Sequence, residues 1–204
     1  MKLYYAPDTC SLSSHIVLRE LGLPFDLVKV DIRAKRTADG RDFLAVNPKG
    51  YVAALELDDG EVLTEGPAIV QYLADLQPDR GLAPAAGTLE RARLQEWLNF
   101  ITSELHAGLG PLFNPSLPED ARAYFREKLS RRLDYLQGTL AGRAYLMGEA
   151  FGVADAYLFT VLGWCEYVGI DLARWPALPV YVTRVGGRPA VQAALRAEAV
   201  DDAA

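Results

Sequence analysis

The sequence predicts a small α/β sheet domain followed by an all-helical domain. Three observations predict it. Strand-like and helix-like pieces alternate over residues 1 to 77, a stretch rich in Pro, Gly and Ala spans 78–87, and beyond it apolar residues recur at helical spacing. The expected division is therefore 1–77, a linker at 78–87, and an all-helical domain at 88–204.

The elements follow in order. Lys2 to Ala6 is a short apolar strand broken by Pro7-Asp8. Ser11 to Leu21 has an apolar stripe at Leu12, Ile16 and Leu21, with Thr9 or Ser11 able to cap its start and Gly22 fitted to its end. Phe25 to Val30 is a second strand, and 31–50 is polar and reads as loop plus a short helix. Val52–Leu57 and Glu61–Leu63 flank Asp58-Asp59-Gly60, a hairpin signal, and Thr64–Leu76 follows as a helix. The order β-α-β then β-β-α is that of thioredoxin-like domains. Farther on, apolar residues at 94, 98, 101, 105, 109 and 112 make one helical stripe. Ala121–Leu140 is a second amphipathic helix, Val153–Tyr167 a more apolar one, and two shorter helices follow Trp175 and Pro189.

Bulk properties exclude several classes. The 204 residues are 50% hydrophobic and 24% charged, an ordinary globular mix. A net charge of -6 repels phosphate backbones, so no nucleic-acid partner is expected. Cys10 and Cys165 make no disulfide framework. No run approaches the ~18 apolar residues of a membrane span, and the first residues lack the long apolar segment of a signal peptide. A soluble, cytoplasmic protein without a metal site or membrane partner is the expectation.

Chemistry concentrates at a few places. Cys10 sits where the first strand ends and the first helix begins, in a Cys-x-x-Ser pattern. Unpaired N–H groups and the macrodipole at such a position favour thiolate and lower a cysteine pKa to ~3.5–7.5; the alternative is a small buried side chain. Cys165, inside an apolar helix, reads as inert core. Thr64-Glu65-Gly66-Pro67 opens the helix after the hairpin. Glu65 either caps that helix or joins its N–H groups in receiving a ligand that carries both an ammonium and a carboxylate. Asn99, Ser103 and His106, spaced i, i+4, i+7, share one helix face, which is either solvated or functional. His15 shows no partner at a telling spacing.

Six segments together resemble one family. Met1-Lys2-Leu3-Tyr4-Tyr5-Ala6-Pro7, Cys10-Ser11-Leu12-Ser13, Asn47-Pro48-Lys49-Gly50, Thr64-Glu65-Gly66, Glu96-Trp97-Leu98-Asn99-Phe100 and Ala154-Asp155-Ala156-Tyr157-Leu158-Phe159 are similar, in order, to bacterial beta-class glutathione transferases. The resemblance implies the glutathione transferase fold, a thioredoxin-like N-terminal domain joined to an all-α C-terminal domain, usually as a homodimer. It implies glutathione as co-substrate, with the thiolate attacking a small hydrophobic electrophile in a cleft between the domains. It also carries roles: Cys10 beside the glutathione sulfur with Ser11 and Tyr5 nearby, and Glu65 and Gly66 on the γ-glutamyl end. The Val52 backbone would pair with the cysteinyl part, Lys35 would meet the glycyl carboxylate, and Asn99, Ser103, Glu104 and His106 would face the site from the helical domain.

Two departures stand out. The family has Val-Pro, with a cis bond, where this chain has Val52-Ala53. A cis bond costs ~2.5–4 kcal/mol before a residue other than proline, against ~0.5–1 before proline. A trans bond, a shifted loop and weaker glutathione binding are therefore expected. Gly152 stands where the family has Ser or Thr as the cap of the next helix, with Asp155 reaching back. A small loss of stability is expected there.

Three activities fit these residues. The first is conjugation of glutathione to an electrophile, with His106 hydrogen-bonding the sulfur or the substrate. The second is glutathione-dependent disulfide reduction with Cys10 as covalent nucleophile. The third is non-catalytic binding of glutathione or an apolar ligand.

Overall fold

The computed structural model describes residues 1–202, with side chains to Ala199. It forms two compact units: Met1–Ala83 together with the chain from Gly187 onward, and Pro84–Gly186.

The first unit is built on a five-stranded sheet of order β3-β2-β1-β4-β5. Strands β1 (Lys2–Tyr5) and β2 (Asp26–Asp31) run parallel, with Leu3 opposite Leu27, and helix α1 (Ser11–Leu21) connects them. Strand β4 (Ala54–Glu56) lies antiparallel to β1 and pairs with β5 (Val62–Thr64) as a hairpin. Its turn closes through Leu57 and Glu61, with Gly60 at φ 88°, a conformation that glycine adopts without cost. The two-residue strand β3 (Arg36–Thr37) was not expected; it is too short to show a period of two.

Leu3, Tyr4 and Tyr5 on β1 are all fully buried, so both faces of this central strand are covered. On one face Tyr4 packs with Ala6, Val30, Phe43, Val52 and Ala54. Burying a side chain such as Phe43 contributes about 1.5–3 kcal/mol. Helix α2 (Gly66–Leu76) buries Ile69, Val70 and Leu73 and packs on α1.

The expected 88–204 helical domain requires correction at its end. Helix α8 (Pro189–Asp202) packs on α1 in the first unit. Val191 and Ala194 are fully buried there, Arg188 grips Glu20 through two bonds of 2.6 and 2.9 Å, and His15 Nδ1 meets Glu198 at 2.8 Å. Contacts this far apart in sequence leave no trace in local periodicity.

The second unit contains α3 (Leu89–Phe100), which runs on through a π-helical turn at Ile101–His106, the short α4 (Ala107–Leu109) and a 3₁₀ turn at Gly110–Phe113. The stripe Leu94, Leu98, Ile101, Leu105, Leu109 and Leu112 is buried along this whole rod. Thr88 caps α3 by accepting from the Arg91 N–H at 3.1 Å. Helices α5 (Glu119–Leu140), α6 (Val153–Gly163) and α7 (Ala177–Gly186) complete the unit. Asp155 in the buried α6 accepts from the Leu146 and Gly152 N–H groups and from the Tyr181 hydroxyl, each at 2.9 Å. Among the described residues no helix is long and apolar enough to cross a membrane.

Candidate active site

The first unit holds Cys10 at the N-cap of α1, partly exposed. The expectation of an activated thiolate does not survive. Three N–H groups of the first helical turn are taken: Ser11 N–H goes to Thr9 Oγ1 at 3.4 Å, Leu12 N–H to the Thr9 carbonyl at 3.3 Å, and Ser13 N–H to the Cys10 carbonyl at 3.2 Å. The thiol itself donates to the Val52 carbonyl at 3.2 Å. Burial pushes the Cys10 thiol up to about 11, outweighing hydrogen bonds from the backbone of Cys10 and Ala53 that act the other way. Cys165 is buried and its thiol is raised to about 12, for the same reason.

Ser11 and Tyr5 are absorbed by the fold. The Ser11 hydroxyl is fully buried and ties the turn together, lying 3.2 Å from both the Ala6 N–H and the Ala6 carbonyl and 2.8 Å from Thr9 Oγ1. Tyr5 is fully buried at the end of β1 with its ring 6.3 Å from that of His15. His15 is buried too, accepting from Arg19 Nε at 2.8 Å through Nε2.

The Val52-Ala53 peptide bond is cis, which overturns the expected trans bond and removes the premise from which a shifted loop and weaker glutathione binding were argued. Tertiary packing decides here against the local preference. Val52 joins the core cluster, Ala54 pairs with Tyr4, and the buried Asn47 holds the Tyr51 carbonyl through Nδ2 at 2.7 Å.

Glu65 and Gly66 stand at the start of α2 as expected, Glu65 with φ 71°. Its carboxylate is already paired: Lys49 Nζ reaches Glu65 Oε1 at 2.6 Å and Thr64 Oγ1 at 2.9 Å. Sequence reasoning missed this role for Lys49, although the residue lies in the quoted Asn47-Pro48-Lys49-Gly50 segment. Lys35 donates to the Gly50 carbonyl at 2.7 Å and lies over the Tyr51 ring at 5.3 Å. Cys10, Val52, Glu65, Gly66 and Lys35 are thus all carried by the first unit.

In the second unit a π-helical turn at Ile101–His106 interrupts the 3.6-residue spacing from which the shared face of Asn99, Ser103 and His106 was argued. The i→i+5 pattern of the π turn advances the chain by less than the α-helix's ~100° per residue, so a 3.6-residue argument overshoots across it. Asn99 and Ser103 are exposed and joined by a bond from Ser103 Oγ to the Asn99 carbonyl at 2.9 Å. Glu104 is engaged by Arg132 at 2.6 Å, and that bond holds its carboxyl below the usual range. His106 is half-buried, with Nδ1 2.7 Å from the Tyr157 hydroxyl and its ring 4.7 Å, edge to face, from Trp164. Burial lowers the His106 pKa, so the ring is neutral at neutral pH. Tyr157 lies in the Ala154-Asp155-Ala156-Tyr157-Leu158-Phe159 segment, whose spacing gives no sign of a contact with a residue 51 positions earlier. Among the described residues no cluster of three or more His, Cys, Asp or Glu is placed to hold a metal ion.

Comparison with known proteins supplies the family. The glutathione S-transferase N-terminal domain matches residues 9–76, and the glutathione S-transferase C-terminal domain matches residues 100–189. The chain is 48% identical over 198 residues, 97% of its length and 98% of the relative's, to the glutathione S-transferase GstA of Escherichia coli O157:H7. It superposes on the ternary complex of BphK, a bacterial glutathione transferase, with a TM-score of 0.96 at 57% identity, covering 98% of this chain and 100% of that one. A sphingomonad glutathione S-transferase complexed with glutathione follows at TM-score 0.94 and 51% identity, covering 98% and 99%. On both domains and over nearly its whole length, the chain belongs to the glutathione S-transferase family.

Proposed function

We propose that the chain conjugates glutathione to small hydrophobic electrophiles, with the sulfur of glutathione rather than that of Cys10 as nucleophile. One observation carries the distinction. The Cys10 thiol donates to the Val52 carbonyl at 3.2 Å, and burial pushes it up to about 11, so it is held protonated at neutral pH, which disfavours Cys10 as the attacking group of a disulfide reductase. In the conjugation step the glutathione S–H gives its proton to solvent. The sulfur lone pair then forms a C–S bond, and the carbon–halogen bond breaks with its electron pair leaving as halide.

The residues of the first unit suit the tripeptide. Glu65 attracts the γ-glutamyl ammonium in competition with Lys49, and N–H groups at the start of α2, from Gly66 on, take the neighbouring carboxylate. The backbone of Val52 pairs with the cysteinyl part, and Lys35 meets the glycyl carboxylate. From the family resemblance come roles for Asn99, Ser103 and Glu104 in glutathione binding and for His106 as a hydrogen-bond partner of the sulfur or electrophile. Ser11 and Tyr5, held as they are in the fold, act as supports of the Cys10 turn. Homodimeric assembly, a cytoplasmic location and a part in detoxification accord with this reading.

Turnover of a chloronitroarene and of a hydroxyalkyl disulfide, in the unsubstituted protein and in Cys10→Ala, tests it. Conjugation that persists in the variant, with no glutathione adduct by intact mass after exposure to oxidised glutathione, supports it. Disulfide reduction that dominates and disappears with Cys10 overturns it.

A further inference from the structure

The arrangement around His106 lies within the second unit and has a consequence of its own. Its Nδ1 and the Tyr157 oxygen are 2.7 Å apart, so one proton lies between them. An imidazole nitrogen is a strong acceptor, whereas a phenol oxygen is a weak acceptor bearing a comparatively acidic proton. These properties favour O–H···N, with Tyr157 donating. Thr102 competes only weakly for the Tyr157 proton, its oxygen being 3.4 Å away against 2.7 Å for the imidazole nitrogen. The Thr102 hydroxyl lies 2.8 Å from the Leu98 carbonyl one turn back, and that shorter bond takes its proton.

The ring is also held in place. The π turn that ends at His106 sets its backbone, Trp164 meets it edge to face at 71°, and Phe113 packs on Trp164 with ring centroids 6.3 Å apart. Tyr157 is almost fully buried, at 2% exposure, on the rigid helix α6.

We infer that Tyr157 is a positioning residue which, by donating to Nδ1, holds His106 as the Nε2–H tautomer, so that the other nitrogen of the ring presents a hydrogen-bond donor and not a base. The tautomer stands on the local geometry alone; its effect on turnover rests on the role proposed for His106. A neutral donor of this kind stabilises a sulfur anion or the developing charge on an electrophile, and it does not remove the glutathione proton.

Long-range proton–nitrogen NMR spectra of the intact protein read the tautomer directly. The chain has two histidines, and His106→Ala assigns the signals. The expected pattern for His106 is an unprotonated Nδ1 and a protonated Nε2. The reverse pattern overturns the inference before any variant of Tyr157 is made. In Tyr157→Phe the Nδ1 signal is expected to move and broaden as the second tautomer becomes populated. The kcat for a chloronitroarene should fall about tenfold while the KM for glutathione stays within about twofold. Unchanged nitrogen shifts and unchanged kcat in that variant overturn the positioning role. Full activity of His106→Ala alongside the expected NMR pattern would instead remove the catalytic role proposed for His106 and leave the tautomer intact.

Discussion

The Sγ of Cys10 lies 3.2 Å from the carbonyl oxygen of Val52, and the thiol is the donor in that contact. The same carbonyl is the one proposed to meet the cysteinyl part of glutathione. In the free protein Cys10 therefore satisfies an acceptor that the ligand is proposed to use, and it remains protonated while doing so.

Alkylation kinetics report that state. The rate of Cys10 modification by iodoacetamide should rise with pH toward a midpoint of about 11, the value to which burial pushes this thiol. A midpoint below pH 9 contradicts the burial argument. The experiment is best followed by mass, because Cys165 is buried with its own thiol raised to about 12.

On the binding mode proposed for the γ-glutamyl end, the Lys49–Glu65 pair competes with the ligand in a second way. The 2.6 Å pair is exposed, 54% and 66% at the side chains, so it is weak in itself. Glu65→Gln should raise the KM for glutathione about tenfold with kcat nearly unchanged, the signature of lost uniform binding. Lys49→Met should act in the opposite direction, lowering the KM by a factor of at most about five, since the pair it breaks contributes about 0–1 kcal/mol. If Lys49→Met raises the KM as much as Glu65→Gln does, Lys49 contacts glutathione itself and the competition is disproved.

Helix α8 gives the first unit a pH dependence of defined sign. Burial raises the Glu198 pKa above 4.5, although His15 and Arg19 pull it down and Asp8 adds to the rise. The folded form thus binds this proton more readily than the unfolded form. Stability is lost as pH climbs from about 4.5 through the raised folded value, and it levels off above that value. Glu198→Gln removes the titration while keeping an acceptor for His15 Nδ1. Its Tm should gain on that of the unsubstituted protein as pH rises through this window. A gap that stays constant, or that runs the other way, refutes the assignment.

Features with a local cause were legible in the sequence. The Asp59-Gly60 turn, the Gly22 stop of α1 and the 3.6-residue stripe from Leu94 to Leu112 each rest on neighbours in the chain, and each is where it was expected. What escaped depends on distant partners or on competition. The pairing of Glu198 with His15 spans 183 residues and drew α8 away from the helical domain it was assigned to. Cys10 was correctly placed at a helix start, but a sequence does not show that Thr9 and the helix's own carbonyls have already taken three N–H groups of the first turn. The π turn interrupts no apolar position and so leaves the pattern intact, and the contact of His106 with Tyr157 spans 51 residues. The cis bond before Ala53 answers to packing around Val52, which local propensity cannot weigh.

The start of α6 offers two substitutions whose effects should differ widely, although they sit three residues apart. Gly152 is the N-cap, in an extended conformation at φ -138°, and contributes no side-chain acceptor. Gly152→Thr adds one; replacing a hydroxyl cap by glycine costs only a few tenths of a kcal/mol, so the reverse change should raise Tm by about 1 °C. Asp155 carries the larger share. Its carboxylate is fully buried and receives the Leu146 N–H, the Gly152 N–H and the Tyr181 hydroxyl at 2.9 Å each. Asp155→Ala would leave the two N–H groups buried without it and the Tyr181 hydroxyl with only the Asp155 carbonyl at 3.3 Å, at about 1–3 kcal/mol for each donor left unpaired. A loss of about 3 kcal/mol corresponds to a drop in Tm of about 6–12 °C in a chain of this size. Thermal unfolding of the two variants beside the unsubstituted protein decides the point. If Asp155→Ala melts within about 2 °C of the parent, the N–H groups of Leu146 and Gly152 have found other acceptors, and the carboxylate is not what joins the start of α6 to α7.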